Sequence, residues 1–225
     1  MTFSLVARCP QSGRFGMVIA SSSPAVAARC VHLRAGVGGV ASQNVTDPAL
    51  GALVLDALQA GDGAAGALAR VLDGRLHSGW RQVLVVDATG GVAVHSGARV
   101  LGLWSEARAP GVVSGGNLLG SDLVPQAMVA AYLAAAGSFG DRLITALRAG
   151  RDAGGEAGPV HSAGMQIVDR LPWPVADLRC DWSPDACPIE AVALAWQVYQ
   201  PQMAAYVQRA LDPTGAPSYG VPGDA

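Results

Sequence analysis

The chain has 225 residues, of which 51% are hydrophobic and 14% charged, so it is too apolar for a disordered segment and long enough to bury a sizeable core. No apolar run reaches the roughly 18 residues that a membrane span needs. A formal net charge of -2, with no clustered basic face, argues against nucleic acid or an anionic membrane surface as partner and leaves a small molecule as the open class.

All 15 positive side chains are arginine. Chemistry that needs a lysine amine as nucleophile, Schiff base or proton carrier is therefore excluded, and positive charge at a site must come from arginine, a helix terminus, a metal or the chain's own α-amino group. The four cysteines, Cys9, Cys30, Cys180 and Cys187, lack the paired short spacings of a zinc site and read as small buried hydrophobes, with a Cys180–Cys187 bridge as the alternative. His32, His77, His95 and His161 are scattered without mutual spacing, so neither a metal nor another cofactor is expected. The first residues show no basic region followed by an apolar stretch, and a cytoplasmic location is expected.

Taken in order, Phe3, Leu5 and Ala7 alternate with Ser4, Val6 and Arg8, a strand that starts where the chain starts. Residues 10–13 supply a turn, and Phe15 to Ala20 returns as a second, mostly apolar strand. Ala25 to Arg34 reads as an irregular or briefly helical crossover, and Val40 to Gln43 as a short strand ending in Ser42, Gln43 and Asn44. Asp47 and Pro48 open a helix with Leu50, Leu53, Val54, Ala57 and Leu58 on one face. A second helix follows, capped by Asp62, with Ala65, Leu68, Ala69 and Leu72 as its buried stripe.

Gln82 to Val86 and Val92 to Ser96 form a hairpin around the turn 87–91, and the continuous apolar run Val83 to Val86 predicts a strand buried on both faces. Val112 to Asn117 is a further strand, followed by helices over about 122–136 and 141–149. Residues 151–159 are a polar, Gly-rich loop. Ser162 to Val168 and Val175 to Asp181 are strands, and a terminal helical segment from Ile189 to Val207 is broken at Pro201. Paired strands separated by paired helices call for α+β architecture, with antiparallel sheets stacked face to face and helices outside. Residues 1–212 read as one domain and 213–225 as a Pro/Gly-rich tail, which is ordered only if it lies against another subunit; a homodimer is expected.

The segments MTFSLVAR, VIASSSPAV, AGVGGVASQNVTDPALG, RQVLVVDATGGVAVHSG, GGNLL and HSAGMQIVD, in this order along nearly the whole chain, resemble the bacterial family catalogued as domain of unknown function 1028. With a Thr opening the first strand, the layered order also resembles the N-terminal nucleophile hydrolases. The resemblance implies a four-layer αββα sandwich of two antiparallel sheets and an amidohydrolase acting on a small polar amide. Removal of Met1, which the small Thr2 side chain permits, would put a hydroxyl and a free α-amine on one residue, an established activated nucleophile.

In the hydrolases it resembles, a lysine holds the amine's pKa down. Here Arg34 is the candidate for that place, acting by like-charge repulsion without shuttling protons. Asn117, after two glycines at a strand end, is the candidate oxyanion or substrate donor. Ser21, Ser42, Gln43, His161 and Ser162 are expected to line the same pocket and bind substrate.

Each has a plainer reading. Ser21 caps a turn, Arg34 joins a surface ion pair, Gln43 and Asn44 satisfy loop backbone, Asn117 serves a left-handed turn, and His161 is structural. Two other functions compete. One is a non-catalytic small-molecule binder on the same fold; the other is a metal-assisted hydrolase using His32 or His161.

Overall fold

A computed structural model describes residues 2–221; Met1 and the last four residues of the expected tail lie outside the described residues. β1 (Thr2–Arg8) and β2 (Phe15–Ser21) form the expected antiparallel hairpin, in register from Phe3 opposite Ala20 to Arg8 opposite Phe15. The alternation in β1 separates two buried faces rather than a buried and a wet one. Phe3, Leu5 and Ala7 pack toward helices, whereas Val6 packs with Phe15 and Met17 against a second sheet.

The segment expected to be an irregular crossover divides into α1 (Val26–Cys30) and a short strand, β3 (Val31–Arg34), paired with β4 (Gly38–Asn44). Val31 and Leu33 join the core between the sheets. His32 turns the other way, onto α2 (Ala49–Gln59), where a Cβ on Gly51 would fall 2.0 Å from its ring; only glycine permits that approach. The predicted face of α2 is right at Leu50, Val54, Ala57 and Leu58, but Leu53 is 40% exposed.

In α3 (Ala64–Leu72) the buried residues are Ala64, Ala67 and Leu68, one step round from the predicted stripe. The reason is the cap. Asp87 Oδ2, not Asp62, accepts the Ala64 N–H at 2.9 Å, so a turn distant in sequence sets where the helix begins.

β5 (Arg81–Asp87) and β6 (Val92–Ser96) complete one sheet. An unforeseen strand, β7 (Ser105–Ala109), pairs with β8 (Val112–Asn117). Its sequence, SEARA, carries little strand propensity, and it is held as an edge strand by its neighbour. After α4 (Val124–Ala134) and α5 (Phe139–Asp152) the chain re-enters through β9 (Ser162–Val168) and β10 (Ala176–Cys180). It closes with α6 (Pro188–Tyr199) and α7 (Met203–Leu211), parted by a 3-10 turn at Pro201.

The six-stranded sheet has the order β10-β9-β2-β1-β8-β7 and the four-stranded sheet β3-β4-β5-β6, all neighbours antiparallel. Residues of α4, α5 and α6 share a core with the outer face of the larger sheet, and those of α2 and α3 with the outer face of the smaller one. The result is the αββα sandwich. Among the described residues no helix is long and apolar enough to cross a membrane, and all four cysteines are free.

The helical layer is tied at two points. Asp141 and Ser138 form a capping box at the start of α5, and Trp196 Nε1 donates to Asp141 Oδ1 at 2.8 Å. Farther along, Arg148 and Arg151 of α5 donate to Glu190 of α6 at 2.5 and 2.6 Å, which holds the Glu190 carboxyl down at about 2.

Two stability tests follow from this packing. Leu84, fully buried between the sheets, should cost about 2–5 kcal/mol when replaced by Ala, whereas Leu53→Ala should stay within about 0.5 kcal/mol in urea unfolding. Because the folded carboxyl is depressed, the Glu190 contribution is present above the unfolded value and is lost as pH falls from about 4.5 toward about 2. Acid titration of unfolding should therefore show a shallower slope in that window for Glu190→Gln than for the parent.

Candidate active site

β1 lies near the middle of its sheet, flanked by β2 and β8, and its alternation places Thr2, Ser4 and Val6 on the face that meets the second sheet. Register then aligns the ends of four strands. Ser162 lies opposite Ser21, and Thr2 lies opposite Asn117. Thr2 Oγ1 sits 3.5 Å from Ser21 Oγ. Ser162, Ser21, Thr2 and Asn117 thus form one row across β9, β2, β1 and β8, all buried, with Thr2 4% exposed and the others fully enclosed.

Beneath the row a ladder of side-chain amides crosses between the sheets. Ser4 donates to Gln43 Oε1 at 2.7 Å, Gln43 Nε2 donates to Gln82 Oε1 at 2.9 Å, and Asn117 Nδ2 donates to the same Gln82 oxygen at 3.1 Å. Two backbone carbonyls set its direction. Gly115 O accepts from Gln43 Nε2 and Gly116 O from Gln82 Nε2, and a carbonyl can only accept, so the orientation of each amide is determined. Asn117 therefore spends an N–H on Gln82. Its Oδ1 is left buried with no hydrogen-bond partner among the described residues.

Ser21 Oγ also contacts Ser23 Oγ at 2.8 Å, and Arg29 Nη2 donates to Ser23 Oγ at 3.1 Å and to Pro24 O at 3.0 Å. Ser162 is committed to the same crossover, donating to Ser23 O at 2.6 Å and accepting from the Val26 N–H at 3.3 Å.

Glu156, 6% exposed, stands beside the row, between the residues that follow β2 and β8. Both its oxygens accept from the Ser22 N–H, at 3.1 and 3.0 Å. Glu156 also bridges Leu119, and the Ala157 N–H donates to Leu118 O at 3.0 Å. Burial pushes its carboxyl above the usual range, and hydrogen bonds from Ser22 and Ser21 pull the other way.

The remaining expected residues are placed elsewhere. Arg34 pairs with Gly38, at the Val6 level of β1, because a Cβ on Gly39 would meet Val6 at 2.7 Å. Gly38 is five residues along β4 from Gln43, roughly 16 Å at the rise of a strand. There Arg34 forms an ion pair with Asp56 at 2.9 Å and bonds Gln59, so the cation leading to Thr2 is Arg29.

Ser42 points to the helix side of its sheet, where it donates to Asp47 O at 2.8 Å. It is excluded by alternation from the face that Gln43 occupies. Asn44 satisfies the loop backbone, as its plainer reading had it.

His161 stacks on Trp182 with centroids 4.6 Å apart, and its Nδ1 lies 2.9 Å from Ser183 O. It borders a cavity of about 330 Å³ that also touches Phe3, Arg151 and Cys187. His32 is half-buried against α2, away from the row.

Glu156, Gln82, Ser4 and Arg29 were not foreseen as site residues. Glu156 had one signal, a lone acid in the glycine-rich run GGEAG, since loops at strand ends carry function. Gln82 had another, a polar residue heading an apolar strand.

The chain belongs to the family of unknown function DUF1028, whose model matches residues 2–192. It is similar to the crystal structure of protein SPO2555 from Silicibacter pomeroyi, a DUF1028 protein, at 28% identity and a TM-score of 0.85, covering 92% of this chain and 90% of that one. Fainter likenesses are to HslV from Trypanosoma brucei, with 12% identity, TM-score 0.44 and coverage of 74% and 99%, and to Anbu from Yersinia bercovieri, with 10% identity, TM-score 0.37 and coverage of 91% and 97%. Likenesses at that level carry no argument about this chain. No curated protein matches it.

The ladder makes a prediction of its own. Gln82→Leu keeps the volume but strips partners from Gln43, Asn117, Ser96 and the Gly116 carbonyl. Chemical unfolding should show a loss of about 2–4 kcal/mol, more than one hydrogen bond is worth, because several buried groups are left unpaired.

Proposed function

We propose that this DUF1028 protein is an amidohydrolase that cleaves a small polar amide with Thr2 as nucleophile once Met1 has been removed. The observation that supports it is the row of buried hydroxyl and amide side chains at the open end of β1, with the Thr2 hydroxyl at its centre. A strand-end hydroxyl held from both sides by paired strands has lost its orientational freedom before substrate arrives, which is the main thing a nucleophile needs from a scaffold.

The steps balance without a cofactor. Thr2 Oγ1 bonds to the amide carbon as its proton passes to the α-amine nitrogen. The C–N bond then breaks and the leaving nitrogen takes that proton. Water attacks the resulting ester, again giving up its proton to the α-amine, and Oγ1 recovers a proton as the acid leaves. The free hydrogen of Asn117 Nδ2 and nearby backbone N–H groups are the candidates for the oxyanion.

Arg29, reached through Ser21 and Ser23, replaces Arg34 as the group that would hold a substrate carboxylate. A non-catalytic binder on the same fold is the competing reading, favoured by the unpartnered Asn117 oxygen, which suits an N–H donor.

The test is hydrolysis of a panel of N-acyl amino acids and small amides by protein whose intact mass shows loss of Met1. Thr2→Ser should keep measurable turnover, and Thr2→Ala should lose it by at least about a hundredfold. Ligand binding that survives Thr2→Ala, with no turnover by the parent, would establish the binder instead.

A further inference from the structure

β2 ends at Ser21 and β8 at Asn117, level with Thr2. The chain runs on from them through Ser22 and Leu118, the two residues that would flank the next position on the line of β1. A distant segment of the chain reaches both of those residues. Glu156 grips the Ser22 N–H on one side and bridges Leu119 on the other, while the Ala157 N–H is bonded to Leu118 O. The 156–157 segment therefore spans the gap between the residues that follow the two strand partners of Thr2.

A carboxylate this enclosed is costly unless a cation compensates it. Among the described residues no arginine or histidine forms an ion pair with Glu156. It is hydrogen-bonded by Ser22 and Ser21. The charged or titratable groups on the elements around this end are Arg29 and Cys30 from α1, His161 ahead of β9, and Arg151 from α5 beside Gly155, which pairs with Asp152 and Glu190. Arg29 is turned to Ser23 and Pro24, His161 to Ser183, and Cys30 to Thr46. The chain contains no lysine.

We infer that Glu156 is the counter-ion of the Thr2 α-amino group in the processed protein, a positioning residue that fixes the amine beside Oγ1 and exchanges its proton. The inference rests on the Met1-free form proposed above. The pair holds one mobile proton: ammonium with carboxylate at rest, amine with carboxylic acid after transfer of that proton from nitrogen to a Glu156 oxygen. In the second form the nitrogen can accept the Oγ1 proton. This reverses the polarity expected from the sequence, in which a cation holds the amine's pKa down. Here an anion raises it, and the carboxyl is itself shifted upward by burial, which narrows the gap between the two.

The absence of lysine makes the test direct, because in tag-free protein the α-amine is the sole aliphatic amine. After intact mass has established the N-terminus, the rate of acetylation by acetic anhydride is followed against pH. In the parent the amine should titrate above the ordinary α-amino range of about 7.7–8.0. In Glu156→Gln the midpoint should fall by about one pH unit, so that acetylation near neutral pH is roughly tenfold faster, and Glu156→Asp should lie nearer the parent.

A parent midpoint within the ordinary range overturns the proposal even if the Gln variant does not fold, and so does an unchanged midpoint in a folded Glu156→Gln. Loss of Met1 with a raised midpoint but no amide hydrolysis by the parent upholds this pairing and defeats the hydrolase reading. Retention of Met1 in the native host overturns both.

Discussion

The site depends on β1 being a central strand buried on both faces. A first strand at a sheet edge would leave its first residue frayed and wet. In this chain β2 and β8 hold it from either side, α4 and α5 cover one face, and the second sheet covers the other. Thr2 is consequently buried and flanked by strands on both sides, although it stands at the start. The glycines of β8 belong to the same constraint. A Cβ on Gly115 would fall 2.8 Å from Leu84, so glycine lets the two sheets approach closely enough for amides to span them.

That close approach gives the polar ladder its direction. The Gly115 and Gly116 carbonyls force Gln43 and Gln82 to present their nitrogens to β8, which turns both amide oxygens inward and leaves Asn117 with a bare Oδ1. With Glu156 beside the row, the surroundings of Thr2 are rich in acceptors. A group that arrives there gains by bringing N–H bonds or positive charge, and the α-amino group of a processed Thr2 brings both.

Much of the architecture was legible because burial on two faces leaves a plain mark. The strands 112–117 and 162–168 match their predicted bounds, and Val83 to Val86 is apolar throughout because both of its faces are covered. What escaped was held by partners rather than by its own residues. SEARA is a strand only because β8 offers it hydrogen bonds, and VHLR is too short for a four-residue alternation to stand out beside a helical turn. The stripe of α3 slipped by one position because its cap comes from Asp87, 23 residues downstream of the residue it caps.

The sequence by itself determined the family, the layered αββα order and the strand-initial position of Thr2, because apolar periodicity and turn residues are local properties of the chain. It also determined that no lysine amine takes part. Tertiary structure decided which polar residues meet. Alternation sent Ser42 and Gln43 to opposite faces, register carried Arg34 to the far end of the sandwich, and the loop after α5 brought Glu156 to Ser22 across 134 residues. Those placements follow from strand pairing between distant segments, and no local pattern in the chain encodes a partner's register.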